Sequence, residues 1–207
     1  MTSKFKIKTI SHSSKTKYKE KGSIFIAKSF NIKSTEEAES FLEKIKKEYY
    51  DATHHCFAFR LQDGNFKYSD DGEPNGTAGI RILNAIDHFE LANILIIIIR
   101  YFGGVKLGVG PLGKAYYKSA YQVIDASKVI TLKHYKKIFI TADFSFVSHI
   151  HRILSKHKAI IENSTFDTKV NFECLSSLKE IEIISSELNE ISKGEILLNQ
   201  SEEDYFR

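Results

Sequence analysis

Ile94-Leu95-Ile96-Ile97-Ile98-Ile99-Arg100-Tyr101-Phe102-Gly103-Gly104-Val105-Lys106-Leu107-Gly108-Val109-Gly110-Pro111-Leu112-Gly113-Lys114 organises the chain. Its aliphatic run is far shorter than the roughly 20 residues of a membrane-spanning helix. Closed by Arg100, it reads as a central strand buried on both faces. A glycine-rich loop follows, and then a helix expected from about Pro111 to Ala126, with proline in its tolerated first turn. Strand, glycine loop, helix is the layout in which backbone amides cradle an anion. Gly108–Gly113 matches GxGxxG, which alone is a weak signal, and no GxxxxGK[ST] occurs. A dinucleotide fold also needs an acid about twenty residues on. Asp125 comes too early and lies within the expected helix.

The second unusual loop is Tyr68-Ser69-Asp70-Asp71-Gly72-Glu73-Pro74-Asn75-Gly76-Thr77-Ala78-Gly79. Thr77 is expected to cap a helix reaching about Phe89, and Gly76 and Thr77 at its start would expose N–H groups to an anion. Asp70, Asp71 and Glu73 have three readings: paired carboxylates for acid–base or metal chemistry, collectors of a cation, or caps and ion-pair partners for Arg100 or Lys106. Arg100, Lys106 and Lys114 follow or flank the same strand and are expected to converge on one ligand beside Gly103 and Gly104. Upstream, Thr53–Leu61 and Asn65–Tyr68 read as a hairpin across Asp63-Gly64. His54 and His55 then point to opposite faces of one strand. His55 shares its face with Phe57 and Phe59 and reads as a core residue, whereas His54, beside Cys56, stands as a ligand-binding candidate.

Glycine and proline also mark a boundary. Ten of the eleven glycines and both prolines precede Lys114, so the later chain reads as regular elements joined by polar turns. In the first part Lys4–Lys8 alternates as a strand and Ser23–Phe30 is another. Ser34 and Thr35 open an acid-led helix to about Tyr49. In the second part strands Tyr135–Phe144, Ala159–Phe166, Lys169–Cys174 and Glu195–Gln200 interleave with helices Val147–Lys156 and Leu178–Leu188. This β-α-β-β-α-β order points to a ferredoxin-like sandwich. The expected domains are 1–130 and 131–207.

Charge follows the same division. Residues 1–130 carry 20 Lys and Arg against 14 acids, and residues 131–207 carry 10 against 12. Seven lysines fall in the first 21 residues, which suits an RNA partner or a soluble edge strand equally well. Cys56 and Cys174 lack CxxC or CxxH spacing, so neither a zinc site nor a disulfide framework is indicated, and reduced thiols are expected. No cofactor and no metal is called for. With no apolar stretch behind the first basic residues, a cytoplasmic protein without membrane contact is expected.

Asp70-Asp71-Gly72-Glu73-Pro74-Asn75-Gly76-Thr77-Ala78-Gly79 and Arg100-Tyr101-Phe102-Gly103-Gly104-Val105-Lys106-Leu107-Gly108 closely resemble the IMPACT/YigZ family. Ala52–Ala58 is similar to that family's A-x-H-x-C-x-A stretch. The resemblance covers nearly the whole chain. It implies an α+β protein of two domains: a β-α-β fold of the type found as the second domain of a ribosomal protein, then a ferredoxin-like βαββαβ domain. The pair is similar to the last two domains of elongation factor G. The resemblance further implies no established enzymatic activity, translational control through a protein partner in eukaryotic members, and nucleic-acid binding in bacterial ones. Two departures occur. The family usually has Gly-Gly-Leu-Val-Arg-Ala-Tyr where this chain has Gly110–Tyr116, and Lys-Pro-Ile-Leu where it has Arg81-Ile82-Leu83. Lys114 keeps the charge without arginine's bidentate fork, and Pro111 removes one backbone donor.

Three functions are therefore in play. The first is a non-enzymatic cytosolic protein binding RNA or a ribosome-associated factor, with Arg100, Lys106 and Lys114 nearest the ligand. The second is a metal-assisted enzyme for a small phosphorylated or carboxylated substrate, using Asp70, Asp71 and Glu73. The third is a protein–protein interaction module.

Overall fold

The computed structural model describes residues 6–207. Their backbone forms two sheets and five α-helices, a mixed α and β architecture. Ile7–Thr131 makes one compact unit, and Leu132–Arg207 with Lys6 makes the other.

The first unit begins with β1 (Lys6–Ile10), followed by β2 (Lys15–Glu20), β3 (Ser23–Asn31), α1 (Thr35–Glu48), β4 (His54–Arg60), β5 (Phe66–Ser69), α2 (Gly79–His88), β6 (Ile94–Tyr101) and α3 (Val109–Ala126). Lys4 and Phe5, expected in the first strand, lie outside the described residues. The main sheet has the order β2-β3-β6-β4-β5, antiparallel throughout. The aliphatic run of β6 sits at its centre and is buried along Ile94–Ile99. Alternation splits that run between two cores. Leu95, Ile97 and Ile99 join Phe57, Phe59 and Ile45 under α1. Ile94, Ile96 and Ile98 join Phe25, Cys56 and Ala58 under α2 and α3. Burying each of these side chains is worth about 1.5–3 kcal/mol, so β6 is the element about which the sheet is organised.

Helix starts differ from expectation in informative ways. Ser34 caps α1 as its sequence suggests, accepting from the Glu37 N–H at 3.3 Å. Thr77 does not cap α2: its hydroxyl donates to the Pro74 carbonyl at 2.6 Å, and the helix starts two residues later, at Gly79. Likewise α3 starts at Val109, placing Pro111 in its first turn. β2 was visible in sequence only as a lysine-rich stretch. In the structure it is an edge strand whose lysines 15, 17 and 19 alternate outward, so the negative-pairing use of lysine applies here.

The second unit continues through β7 (Val129–Ala142), a short 3-10 turn at Phe144–Phe146, α4 (Val147–Lys156), β8 (Ile160–Phe166), β9 (Val170–Ser176), α5 (Leu178–Ser192) and β10 (Leu197–Phe206). These four strands are arranged β10-β7-β9-β8, every pair antiparallel. Ile138, Ile140, Phe172 and Cys174 pack against Ile150, Ile153 and Leu154 of α4 and Ile181, Ile184 and Leu188 of α5. The strands β7 and β10 and the helix α5 run longer than their sequence patterns indicate. None of the helices among the described residues is long and apolar enough to cross a membrane.

Candidate functional site

The acidic loop between β5 and α2 is folded around its own carboxylates. Asp70 accepts from the N–H of Ala78 (2.9 Å) and Gly79 (2.8 Å) through Oδ1 and from that of Gly76 (2.9 Å) through Oδ2. Ala78 and Gly79 carry orphan donors of the start of α2 and Gly76 lies just before it, so an internal anion already occupies the place where an external one was expected. The expectation that Gly76 and Thr77 present free N–H groups is corrected on this ground; the Thr77 N–H itself donates to Pro74. The approach is close because residue 79 is glycine: a Cβ there would lie 2.7 Å from the Ser69 backbone. Asp71, in the left-handed region at φ 43°, takes the His55 N–H at 2.6 Å through Oδ2, and Lys46 lies 3.4 Å from its Oδ1.

Glu73 points inward instead. Its Oε1 accepts from Arg100 Nη1 at 2.5 Å and from the Tyr116 hydroxyl at 2.7 Å, in an ion pair whose side chains are 4% and 5% exposed. Arg100 Nη2 reaches Ser23 Oγ at 3.2 Å. Its guanidinium lies 5.4 Å from the Phe25 ring centre and 5.7 Å from that of Phe102. Arg100 Nε, also buried, has no hydrogen-bond partner. Cys56 Sγ sits 3.0 Å from the Asp70 carbonyl and 3.3 Å from Tyr116 Oη. Burial pushes both the Cys56 thiol and the Tyr116 phenol well above their ordinary range. Cys56 is thus an inert core thiol. Arg100 was expected to face a ligand as an available charge, but its charge is spent on Glu73.

His54 stands at the rim of this network, opposite Arg100 in the β4–β6 register. Its Nδ1 is 2.8 Å from the Asp71 carbonyl, and its Nε2 faces Glu73 Oε2 at 3.7 Å. His55 points to the other face as expected, its Nε2 3.0 Å from the Tyr49 carbonyl.

The second loop leaves β6 over a tight crossing. Gly103 donates to Ser23 Oγ at 3.2 Å, and a Cβ on it would fall 1.9 Å from the Gly22 carbonyl carbon, so glycine is obligatory there. Gly104 follows with φ +83°. Beyond them the loop roofs a cavity of about 360 Å³, walled by His54, Glu73, Arg100, Phe102, Lys106 and Leu107 among others. Lys114 is elsewhere. It lines a groove of about 630 Å³ between α2 and α3 with Arg81, Tyr117 and Lys118. The expected convergence of Arg100, Lys106 and Lys114 is therefore corrected. Arg100 and Lys106 share the cavity, while the helical phase of α3 carries Lys114 to its outer side. Arg81 and Lys118 escaped the sequence reading, although four-residue spacing from Lys114 to Lys118 would have put those two on one face.

The three acids share no common focus. Among the described residues, no group of three or more His, Cys, Asp or Glu side chains is placed to hold a metal ion.

Residues 21–124 match the model of the Impact N-terminal domain. IMPACT family member YvyE of Bacillus subtilis is 31% identical over 183 residues, spanning 87% of this chain and 84% of that protein. An IMPACT family member of Haemophilus influenzae is 34% identical over 188 residues, spanning 86% and 88%. A crystal structure of a hypothetical protein superposes with a TM-score of 0.67 at 26% identity, covering 96% of this chain and 98% of that one.

Proposed function

The chain belongs to the IMPACT family, and from that premise we propose that it is a non-enzymatic, cytoplasmic RNA-binding protein acting beside the translation machinery. The observation that carries the reading is the α2–α3 groove. Arg81, Lys114 and Lys118 line it with the ring of Tyr117, and no acid stands among its lining residues. Cationic side chains beside exposed aromatic faces suit a single-stranded backbone and its bases. Exposed Tyr121 continues that surface, packing near His88 and Phe89. Lys118 Nζ lies over the Tyr18 ring at 4.6 Å.

The same reading takes the first unit as the ribosomal-protein second-domain type. It takes the second, with strand order β10-β7-β9-β8 and both helices packed on one core, as a ferredoxin-like sandwich. That pairing supports a partner on the ribosome but does not by itself specify one.

The test is fluorescence anisotropy with a labelled single-stranded RNA from about 50 to about 300 mM salt. Binding should weaken on a straight log–log line. The triple variant Arg81→Ala/Lys114→Ala/Lys118→Ala should lower the slope by about 2, at roughly 0.7 per lost phosphate contact. Absence of binding at low salt, or an unchanged slope in the triple variant, overturns the RNA reading. A protein partner recovered reproducibly without nucleic acid would then favour the interaction-module alternative.

A further inference from the structure

The cavity under the Phe102–Val109 loop has a chemistry that the RNA reading does not use. One wall is apolar, formed by Phe102, Leu107, Val109 and Leu112. Two polar stations share the space. At the first, Glu73 Oε2 accepts no hydrogen bond among the described residues, although its side chain is 96% buried, the complement of its 4% exposure. It faces His54 Nε2 at 3.7 Å, too far for a hydrogen bond. The histidine's tautomer follows from its other nitrogen. Nδ1 lies 2.8 Å from the Asp71 carbonyl, which can only accept, so Nδ1 carries a proton and Nε2 is the nitrogen turned toward Glu73 and the cavity. Glu73 Oε2 is thus left without a donor beside His54, and since 3.7 Å admits no atom between the two, a group with several donors would reach Glu73 Oε2 from the cavity. An ammonium is such a group.

The second station is cationic. Lys106 lines the cavity from the loop, and the 18-residue α3 begins at its edge with Val109. Gly108, the N-cap, supplies no capping side chain. Pro111 has no N–H and Leu112 donates to the Gly108 carbonyl, so the N–H groups of Val109 and Gly110 are the ones that add the positive end of the helix to the Lys106 charge, which favours a carboxylate.

We infer that this cavity is a binding site for a free α-amino acid with an apolar side chain. Its ammonium lies against Glu73 Oε2 on the cavity side, next to His54, its carboxylate is held by Lys106 and the start of α3, and its side chain rests on Phe102, Leu107 and Leu112. A volume of about 360 Å³ falls within the range of small-molecule sites.

The test is calorimetric and saturation-transfer NMR titration of the full chain with three probes. These are L-phenylalanine, 3-phenylpropionate (no ammonium) and phenethylamine (no carboxylate). L-Phenylalanine should bind about tenfold more tightly than either analogue, each charged hydrogen-bonding station being worth about a factor of ten. His54→Asn keeps a donor for the Asp71 carbonyl and removes Nε2 while Glu73 stays, so it should move L-phenylalanine toward, but not to, the level of 3-phenylpropionate. Lys106→Ala should bring it toward phenethylamine. Val109→Trp, at an exposed position on the cavity edge, should abolish binding without unfolding the chain, as circular dichroism would verify. If L-phenylalanine fails to bind at about 20 mM, the upper end of useful weak affinity, the inference is wrong. Equal binding of all three probes, or unaltered binding by Val109→Trp, overturns it as well.

Discussion

Removing Arg100 should damage the fold far more than removing Arg100 and Glu73 together. In Arg100→Met the Glu73 carboxylate stays buried with only the Tyr116 hydroxyl donating and His54 at 3.7 Å. In Glu73→Leu the Arg100 guanidinium stays buried with Ser23 Oγ as its remaining side-chain acceptor, between the Phe25 and Phe102 rings. Breaking a buried pair from one side leaves an uncompensated charge and costs about 3–5 kcal/mol. Replacing both partners with apolar groups of similar volume removes the charges along with their attraction and is often close to neutral. The double variant is therefore expected within about 1 kcal/mol of wild type, once about 1–1.5 kcal/mol is allowed for the Tyr116 hydroxyl left without its acceptor. The coupling energy would then be several kcal/mol, a size reserved for residues in direct contact. Because the chain forms two compact units, amide exchange read on peptides from β6, in increasing urea, reports on the unit that holds the pair. The reasoning is refuted if the double variant loses as much as the two single variants combined.

Four other outcomes follow from the same geometry. Asp70→Asn should destabilise the first unit by about 1.5–3 kcal/mol, since one of the carboxylate's accepting oxygens becomes an amide donor facing N–H groups; a urea midpoint equal to wild type would contradict the capping role. Gly103→Ala should cost at least about 3 kcal/mol or prevent folding, because the added Cβ meets the Gly22 backbone at 1.9 Å; normal yield and midpoint would rule this out. Cys56 and Cys174 are both fully buried, burial raises both thiols, the latter to about 12, and a chromogenic disulfide reagent should therefore react with neither until denaturant is added. At alkaline pH Tyr101 contributes alongside the buried Tyr116 and the two thiols: its hydrogen bond to Asp51 raises its phenol to about 12 and so favours the neutral form in the fold; the stability it contributes is complete below its ordinary value of about 10 and is lost as pH rises from about 10 to 12, a part of the slope that Tyr101→Phe should remove in urea titrations.

Much of the fold could be read from residue patterns, and the failures have physical causes. The aliphatic run at 94–99 needed no tertiary information, because burial on both faces leaves no polar position to confuse the period. β2 was missed because among Lys15–Glu20 only Tyr18 is clearly apolar, and an edge strand need bury very little. The parity of Arg100 was available: it falls in step with Ile94, Ile96 and Ile98, which places it on a core face and demands a carboxylate partner. Which of three acids would answer was not available. Asp70 and Glu73 are separated by a left-handed Asp71 and by Gly72 at φ +86°, a turn that sends one side chain to the start of α2 and the other into the core. Sequence spacing carries no information about that divergence.

The divergence also changes what the most distinctive residues mean. Asp70 is used up on α2, Asp71 on β4 and Lys46, and most of Glu73 on Arg100 and Tyr116, while Gly79 and Gly103 are held by backbone approach. These positions build the junction of β4, β6, α2 and α3, and a substitution there is expected to appear first as lost stability, whatever the protein binds. The proposed binding readings accordingly rest on groups the junction leaves over. In the cavity these are His54 Nε2, Glu73 Oε2 and Lys106; on the helical face they are Arg81, Lys114 and Lys118. Substitutions at Lys106 or Lys114 remove a charge from an exposed side chain without opening the core, so they separate binding from folding in a way that no change at Asp70 or Arg100 can.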